Sequence, residues 1–206
     1  MNAVVVSRII LASASPRRTE LLKLIGLRFD VIPSDVEERF EDGDPALVAE
    51  RLAASKAGNV ASMVRSGIVI GADTVVVVDS RLLGKPVDDE DAKRMLAMLS
   101  GRNHEVITGV AVVDASSGRS CVEHERTRVW FRELGPSEID AYVASGEPMD
   151  KAGAYGVQGL GSVIVRRIEG CYFNVVGLPL PRLSDMLKRF GIDVLTGFCR
   201  PAGYRV

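Results

Sequence analysis

The stretch LASASPRRTELLKLIG, residues 11–26, places two arginines where a helix least favours them. Ser15 reads as an N-cap, Pro16 as the first helical residue, and Gly26 as the stop after the apolar Leu21, Leu22, Leu24 and Ile25. Arg17 and Arg18 then fall in the first turn, where the macrodipole is already positive. Each cation there is disfavoured by roughly 0.3–1 kcal/mol relative to a carboxylate. Solvated first-turn residues are one account of this pair; an anion site is the other. Ser13 and Ser15 would supply hydroxyls and the strand-to-helix turn backbone N–H groups. Arg18 would supply a forked, permanently charged clamp for phosphate oxygens.

Asp73 is the second signal. It interrupts the apolar run IVIGADTVVVV, and a carboxylate there is costly unless it is paired, hydrogen-bonded or bound to a cation. A structural turn aspartate is the plainer alternative. Gly71 and Ala72 beside it would leave room for a ligand to approach the backbone. Lys85, in GKP, lies just past a turn at 79–81, so a hairpin would return it to the same mouth. Lys56 sits on a largely apolar helix face, four residues from both Leu52 and Val60. It either snorkels to the surface or meets a buried anion. Glu38, in DVEERF, belongs to an acidic cluster that reads as a solvated loop, or as an oxygen ligand if a phosphate-bound divalent cation lies near.

Other phosphate chemistries are excluded by inspection. The chain has no GxxxxGK[ST], and GLGSVI lacks the third glycine of a dinucleotide fingerprint and precedes a strand. DTVVV lacks the second aspartate of a DxDx[TV] phosphatase loop. Only His104 and His124 are present, without HExxH, so a histidine-based metal site or triad has little support. The chemistry must run on carboxylates, lysines and arginines.

The elements that would carry these residues alternate as in an α/β protein. Residues 8–14 read as a buried strand leading into the first helix, and 28–32 as a second strand. Asp44 and Pro45 start a long helix ending near Gly67. A strand begins at Ile68, breaks around 72–74 and resumes to Val78. Asp88 caps a helix closed by Gly101, and 105–114 with 119–132 form a long hairpin. Helices follow at Pro136 and over 179–190, with a strand over 163–168 between them. The long hairpin suggests two lobes. At 206 residues and 47% apolar content the chain can bury one sizeable core, and no linker or repeat divides it. A net charge of −1 argues against a general nucleic-acid binder, so the basic groups that matter must be local. Cys121, Cys171 and Cys199, odd in number and without CxxC spacing, suggest reduced thiols in a cytoplasmic protein. MNAVVVSRIILASAS is too short, and too soon interrupted by Arg8, for a membrane span, and reads as a first strand rather than a signal peptide.

LASASPRR, ERLAASKA, GADTVV, GKP and DKAGAYGVQGLGS followed by VVGLPL occur in an order that resembles the Maf family of nucleoside triphosphate pyrophosphatases, over residues 8–190. The resemblance implies a single domain over 1–206, with residues 191–206 a tail of unknown role. It implies an elongated mixed sheet with flanking helices and two lobes around a cleft, similar to the inosine triphosphate pyrophosphatases. By the same resemblance Asp73 is the proton acceptor that activates water. Ser13, Arg18, Lys56 and Lys85 fall on phosphate-binding positions, and Glu38 joins Asp73 near a divalent cation, Mg²⁺ or Mn²⁺. Arg17, Thr74 and Gln158 match positions tied to substrate choice, in the form similar to members acting on dTTP and UTP. Gln158 would pair with the base edge, the glycines around it would let the backbone approach a flat ligand, and Tyr155 would add a wall. A sister group acting on 7-methyl-GTP and a nucleotide-sensing role in cell division are the alternatives. The implied partner is a nucleoside triphosphate, with no nucleic acid or membrane, and a homodimer is left open.

Overall fold

A computed structural model describes residues 8–37 and 43–196. In chain order it has β1 (Ile9–Leu11), α1 (Pro16–Leu24), β2 (Phe29–Val31), α2 (Pro45–Met63), β3 (Ile68–Val78), β4 (Arg81–Leu83), α3 (Asp89–Leu99), β5 (Asn103–Asp114) and β6 (Ser120–Phe131). Then follow α4 (Pro136–Ala144), three short 3₁₀ turns between Glu147 and Val163, β7 (Val165–Glu169), α5 (Tyr172–Val176) and α6 (Leu180–Lys188). The strands form one mixed sheet in the order β2-β1-β3-β5-β6-β7, with β4 also paired to β3.

The long strand β3 sets the layout. Its alternation sends Val69, Gly71, Asp73 and Val75 to one face and Ile68, Ile70, Ala72, Thr74, Val76 and Val78 to the other. The first face is covered by α2 through the small residues Ala46, Ala49, Ala53 and Ala57. On the second face the core divides. One cluster joins β1, β3, α1 and α6 around Leu22, Ile70 and Leu183, and the other joins α3, α4 and the far ends of β3 and β5 around Leu96, Val106 and Phe131. These are the two lobes expected from the long hairpin.

The expected break at 72–74 is not there. β3 stays paired with β5 in unbroken register from Ile68↔Asp114 to Val77↔Glu105, with Asp73 opposite Gly109. Continuity is possible because the interruption lies on the other edge. β1 pairs with β3 only over Ile68, Val69 and Ile70, and β4 only over Val76, Val77 and Val78. Residues 71–75 therefore have no strand on that side among the described residues, and a notch opens between the ends of β1 and β4. The β3–β4 hairpin turns on Asp79 and Ser80, both at positive φ (48° and 61°), as a two-residue turn with the twist of its strands requires. Helix α5 and the 3₁₀ turns were not expected from the sequence, whereas β4 is the return strand of the hairpin expected around the turn at 79–81. No helix among the described residues is long and apolar enough to cross a membrane.

Candidate active site

The notch is the floor of a cleft of about 360 Å³, within the range of small-ligand sites. Its walls come from the turn after β1 (Ser13 to Arg18), the turn after β4 (Gly84, Lys85) and the loop carrying Asp150 to Gln158. Thus Ser13, Arg17, Arg18, Lys56, Asp73, Thr74, Lys85 and Gln158, spread over 146 positions of the sequence, line one cavity. Glu38 lies outside the described residues.

Asp73 points to the α2 face. It is 4% exposed and accepts a hydrogen bond from Lys56 Nζ at 2.5 Å. Lys56 does not snorkel; at 8% exposure it turns inward. Two close approaches make this possible. A Cβ on Gly71 would lie 2.8 Å from the Ala57 amide nitrogen, and one on Gly109 would lie 2.6 Å from that of Glu50. Gly71 is thus not an opening for a ligand. Its missing side chain admits the helix that carries Lys56.

On the opposite face α1 presents Arg18. Ser15 occupies the N-cap position without a side-chain capping bond, and Ser13 Oγ instead accepts from the Ser15 N–H at 3.3 Å. Arg18 is 9% exposed and held at three points. Nε donates to the Gly177 carbonyl at 2.8 Å, Nη1 to Ser13 Oγ at 3.1 Å, and Nη2 to Thr74 Oγ1 at 3.1 Å. Gly177 ends α5 at φ 121°, a conformation that favours glycine. Thr74 therefore lines the cleft while fastening Arg18.

Arg17 reaches across the cleft mouth to Asp150 Oδ2 at 3.1 Å. Part of the charge missing from the first turn of α1 is supplied by this carboxylate. Burial works against ionising Asp150, but the hydrogen bond from Lys151 and the positive charges of Arg17 and Lys151 outweigh it, lowering its pKa. In DKAG neither Asp150 nor Lys151 shows a role from the sequence alone.

The glycine-rich segment is built differently from the flat cradle expected. Glu147 accepts from the N–H groups of Leu160 and Gly161, at 2.9 and 3.0 Å, and from the Tyr142 hydroxyl at 2.8 Å. That hydroxyl accepts from the Gly156 N–H at 3.1 Å. Gly153 packs on Val76, and Gly161 on the Gly156 carbonyl. The glycines serve this internal clamp, which leaves Gln158 exposed on the cleft wall between its two fastened ends. Tyr155 does line the cleft, but as a fixed part of its wall and not as a free stacking face. Its hydroxyl lies 2.7 Å from His104 Nε2, and its ring meets His104 and Phe131 edge-on in the core. Burial holds His104 neutral, with its pKa lowered to about 4.

No three or more His, Cys, Asp or Glu side chains converge as a metal cage among the described residues. Asp73 and Asp150 are the described carboxylates on the cleft. Carboxylate oxygens are donors of the kind a hard divalent cation takes.

The family model for Maf-like protein matches residues 8–190. Over 186 residues the chain is 53% identical to the dTTP/UTP pyrophosphatase of Syntrophomonas wolfei, covering 90% of this chain and 98% of that protein. It is 55% identical to the dTTP/UTP pyrophosphatase of Pelotomaculum thermopropionicum, covering 91% and 98%. A solved structure, that of the Staphylococcus aureus Ham1 protein, superposes with a TM-score of 0.45 at 18% identity, over 77% of this chain and 79% of that one.

Proposed function

Since the chain belongs to the Maf-like protein family, we propose that it is a nucleoside triphosphate pyrophosphatase hydrolysing dTTP, UTP and related modified pyrimidine nucleotides. The products are the nucleoside monophosphate and pyrophosphate, a house-cleaning reaction on the cytoplasmic nucleotide pool. The observation that carries the reading is the buried Lys56–Asp73 pair at the edge of a cleft that also holds Arg18 at a helix N-terminus. A base, a charge clamp and an oriented anion site face one volume.

In this reaction water attacks the α-phosphorus, the bond to the bridging α–β oxygen breaks, and pyrophosphate leaves. Asp73 accepts the proton of the attacking water. Lys56, which the resemblance sets on a phosphate-binding position, also holds that carboxylate in place through its hydrogen bond. Arg18 and Lys85, with Ser13 and the N–H groups opening α1, hold the polyphosphate oxygens as charge moves onto the leaving group. Asp73 and Glu38 would hold Mg²⁺ or Mn²⁺ together with those oxygens; the cation would neutralise charge and acidify the water. Gln158 offers a donor and an acceptor, matching O4 and N3–H of uracil or thymine.

The test is metal-dependent release of pyrophosphate from a panel of dTTP, UTP, CTP, GTP and 7-methyl-GTP. The highest kcat/KM is expected for dTTP and UTP. Preference for 7-methyl-GTP, or binding without turnover, would overturn this assignment.

A further inference from the structure

A row of hydroxyls crosses the sheet beneath the cleft, along the seam between the two apolar clusters. Thr74 and Thr108 are directly opposite each other on β3 and β5, and their Oγ1 atoms are 2.9 Å apart. Thr108 is fully buried, and its Oγ1 is 3.1 Å from the backbone carbonyl of Asn174. The direction of every proton in this row follows from valence. A carbonyl only accepts, so the single hydrogen of Thr108 goes to Asn174. Thr108 can then only accept from Thr74, whose one hydrogen is used there. Thr74 in turn can only accept from Arg18 Nη2, which as part of a guanidinium can only donate. The chain runs one way: Arg18 to Thr74 to Thr108 to the Asn174 carbonyl.

Its far end is fixed. Asn174 is fully buried, and its Nδ2 donates to the Val106 carbonyl and to Thr127 Oγ1, both at 2.9 Å. Thr127 Oγ1 also accepts from the Cys171 N–H at 3.1 Å, so α5 is bolted to β5 and β6. Three residues after Asn174, the Gly177 carbonyl takes Arg18 Nε. One short helix thus grips the guanidinium twice, directly and through two threonines.

Resting on the pyrophosphatase reading above, we infer that Thr108 is a positioning residue for the reaction. It makes Thr74 a one-way acceptor and so presents the Arg18 fork to the phosphates already oriented. Without the Thr108 hydroxyl, the Thr74 hydrogen has no acceptor in the row, and the plane of Arg18 is less determined. Substrate choice attributed to Thr74 would then be exercised through Arg18, on the polyphosphate rather than on the base.

The test compares Thr108→Val, which keeps the shape, with Thr108→Ser, which keeps the hydroxyl. Thr108→Val is expected to lower kcat/KM for dTTP roughly tenfold to a hundredfold, the size of one misplaced buried hydrogen bond, while Thr108→Ser stays within a few-fold. Affinity for inorganic tripolyphosphate, read by calorimetry, is expected to fall in parallel, which tests the orientation of Arg18 without turnover. In an Arg18→Lys background, Thr108→Val should cost less than about twofold more, because the two act as one unit. If Thr108→Val does not fold, Thr108→Ala against Thr108→Ser carries the same comparison. Wild-type values in Thr108→Val, equal losses in Ser and Val, or full additivity with Arg18→Lys would overturn the inference. A wild-type protein that binds tripolyphosphate but releases no pyrophosphate from any nucleotide would overturn the pyrophosphatase reading instead.

Discussion

The placement of Lys56 against Asp73 depends on the absence of two side chains, and Gly109 is the sharper test of the two positions. Gly109 lies opposite Asp73 in the sheet, and a Cβ there would run into the backbone of Ala49 and come within 2.6 Å of the Glu50 nitrogen. Backbone cannot rotate away as a side chain can. Restoring ordinary contact at 3.4 Å would push α2 outward by at least about 0.8 Å to clear Glu50 and by more to clear the nearer Ala49 backbone, since repulsion rises steeply inside that distance. Overpacking of this kind costs about 1–3 kcal/mol, or roughly 2–12 °C in Tm for a chain of this size. Because α2 carries Lys56, the same displacement should loosen its contact with Asp73 and lower kcat about a hundredfold.

Gly58 provides the control within the same helix. It is exposed, and a Cβ there meets nothing within 4 Å. Gly58→Ala should stabilise by up to about 1 kcal/mol and leave kinetics unchanged. Urea unfolding and steady-state pyrophosphate release on the two variants make the comparison. A Gly109→Ala protein with wild-type stability and kcat would refute the claim that close helix–sheet approach sets the lysine. Equal destabilisation by both substitutions would do so too.

Asp73→Asn should lower kcat roughly 10²–10⁴-fold with little change in nucleotide affinity measured without metal, because the amide keeps the shape but accepts no proton; wild-type turnover would remove Asp73 from the mechanism. Gln158→Ala should narrow the kcat/KM gap between dTTP and GTP by about 1–3 kcal/mol while tripolyphosphate affinity stays the same, since the lost contacts are to the base alone. His104 gives the pH prediction. Its folded pKa of about 4 lies below the ordinary 6.5, so the unfolded chain binds the extra proton between those values. Its contribution is complete above pH 6.5 and lost as pH falls toward 4, by roughly 3 kcal/mol at most. His104→Gln should flatten the fall in Tm across that window; an unchanged slope would exclude His104 as its source.

Some of the site was legible in the residues because its features violate local rules. Two arginines in a first helical turn and a carboxylate inside an apolar run each need an explanation that the neighbouring sequence does not contain. The hairpins and most helices follow from caps and turn residues such as Asp44, Asp88 and Gly101. What was not legible depends on partners distant in sequence. Lys56 on an apolar face has the same pattern whether it snorkels or pairs inward, and only its distance to Asp73 decides. Gly71 reads equally as space for a ligand or for a helix. Thr108, in NHEVITGVAVVD, looks like any β-branched strand residue until Thr74 is found opposite and Asn174 behind it. The break expected at 72–74 does not occur, because pairing with β5 carries the strand straight through Asp73; the sheet is instead interrupted along its edge, between the ends of β1 and β4.

That edge explains how one short stretch of strand can serve two halves of a site. Neighbours in a β-strand point to opposite faces, so Asp73 and Thr74 would normally be separated by the full thickness of the sheet. Because β1 stops at residue 70 of its partner and β4 begins at 76, no strand among the described residues pairs with the backbone between them on that side, and both faces open onto the same notch. The α2 face contributes the carboxylate and its lysine; the other contributes the arginine anchored through threonines. The charge follows the same geometry. Arg17, Arg18, Lys56, Lys85 and Lys151 line the cleft against Asp73 and Asp150 among the described residues, in a chain whose net charge is −1. That local excess of positive charge would draw the proposed triphosphate to the notch rather than to the protein at large.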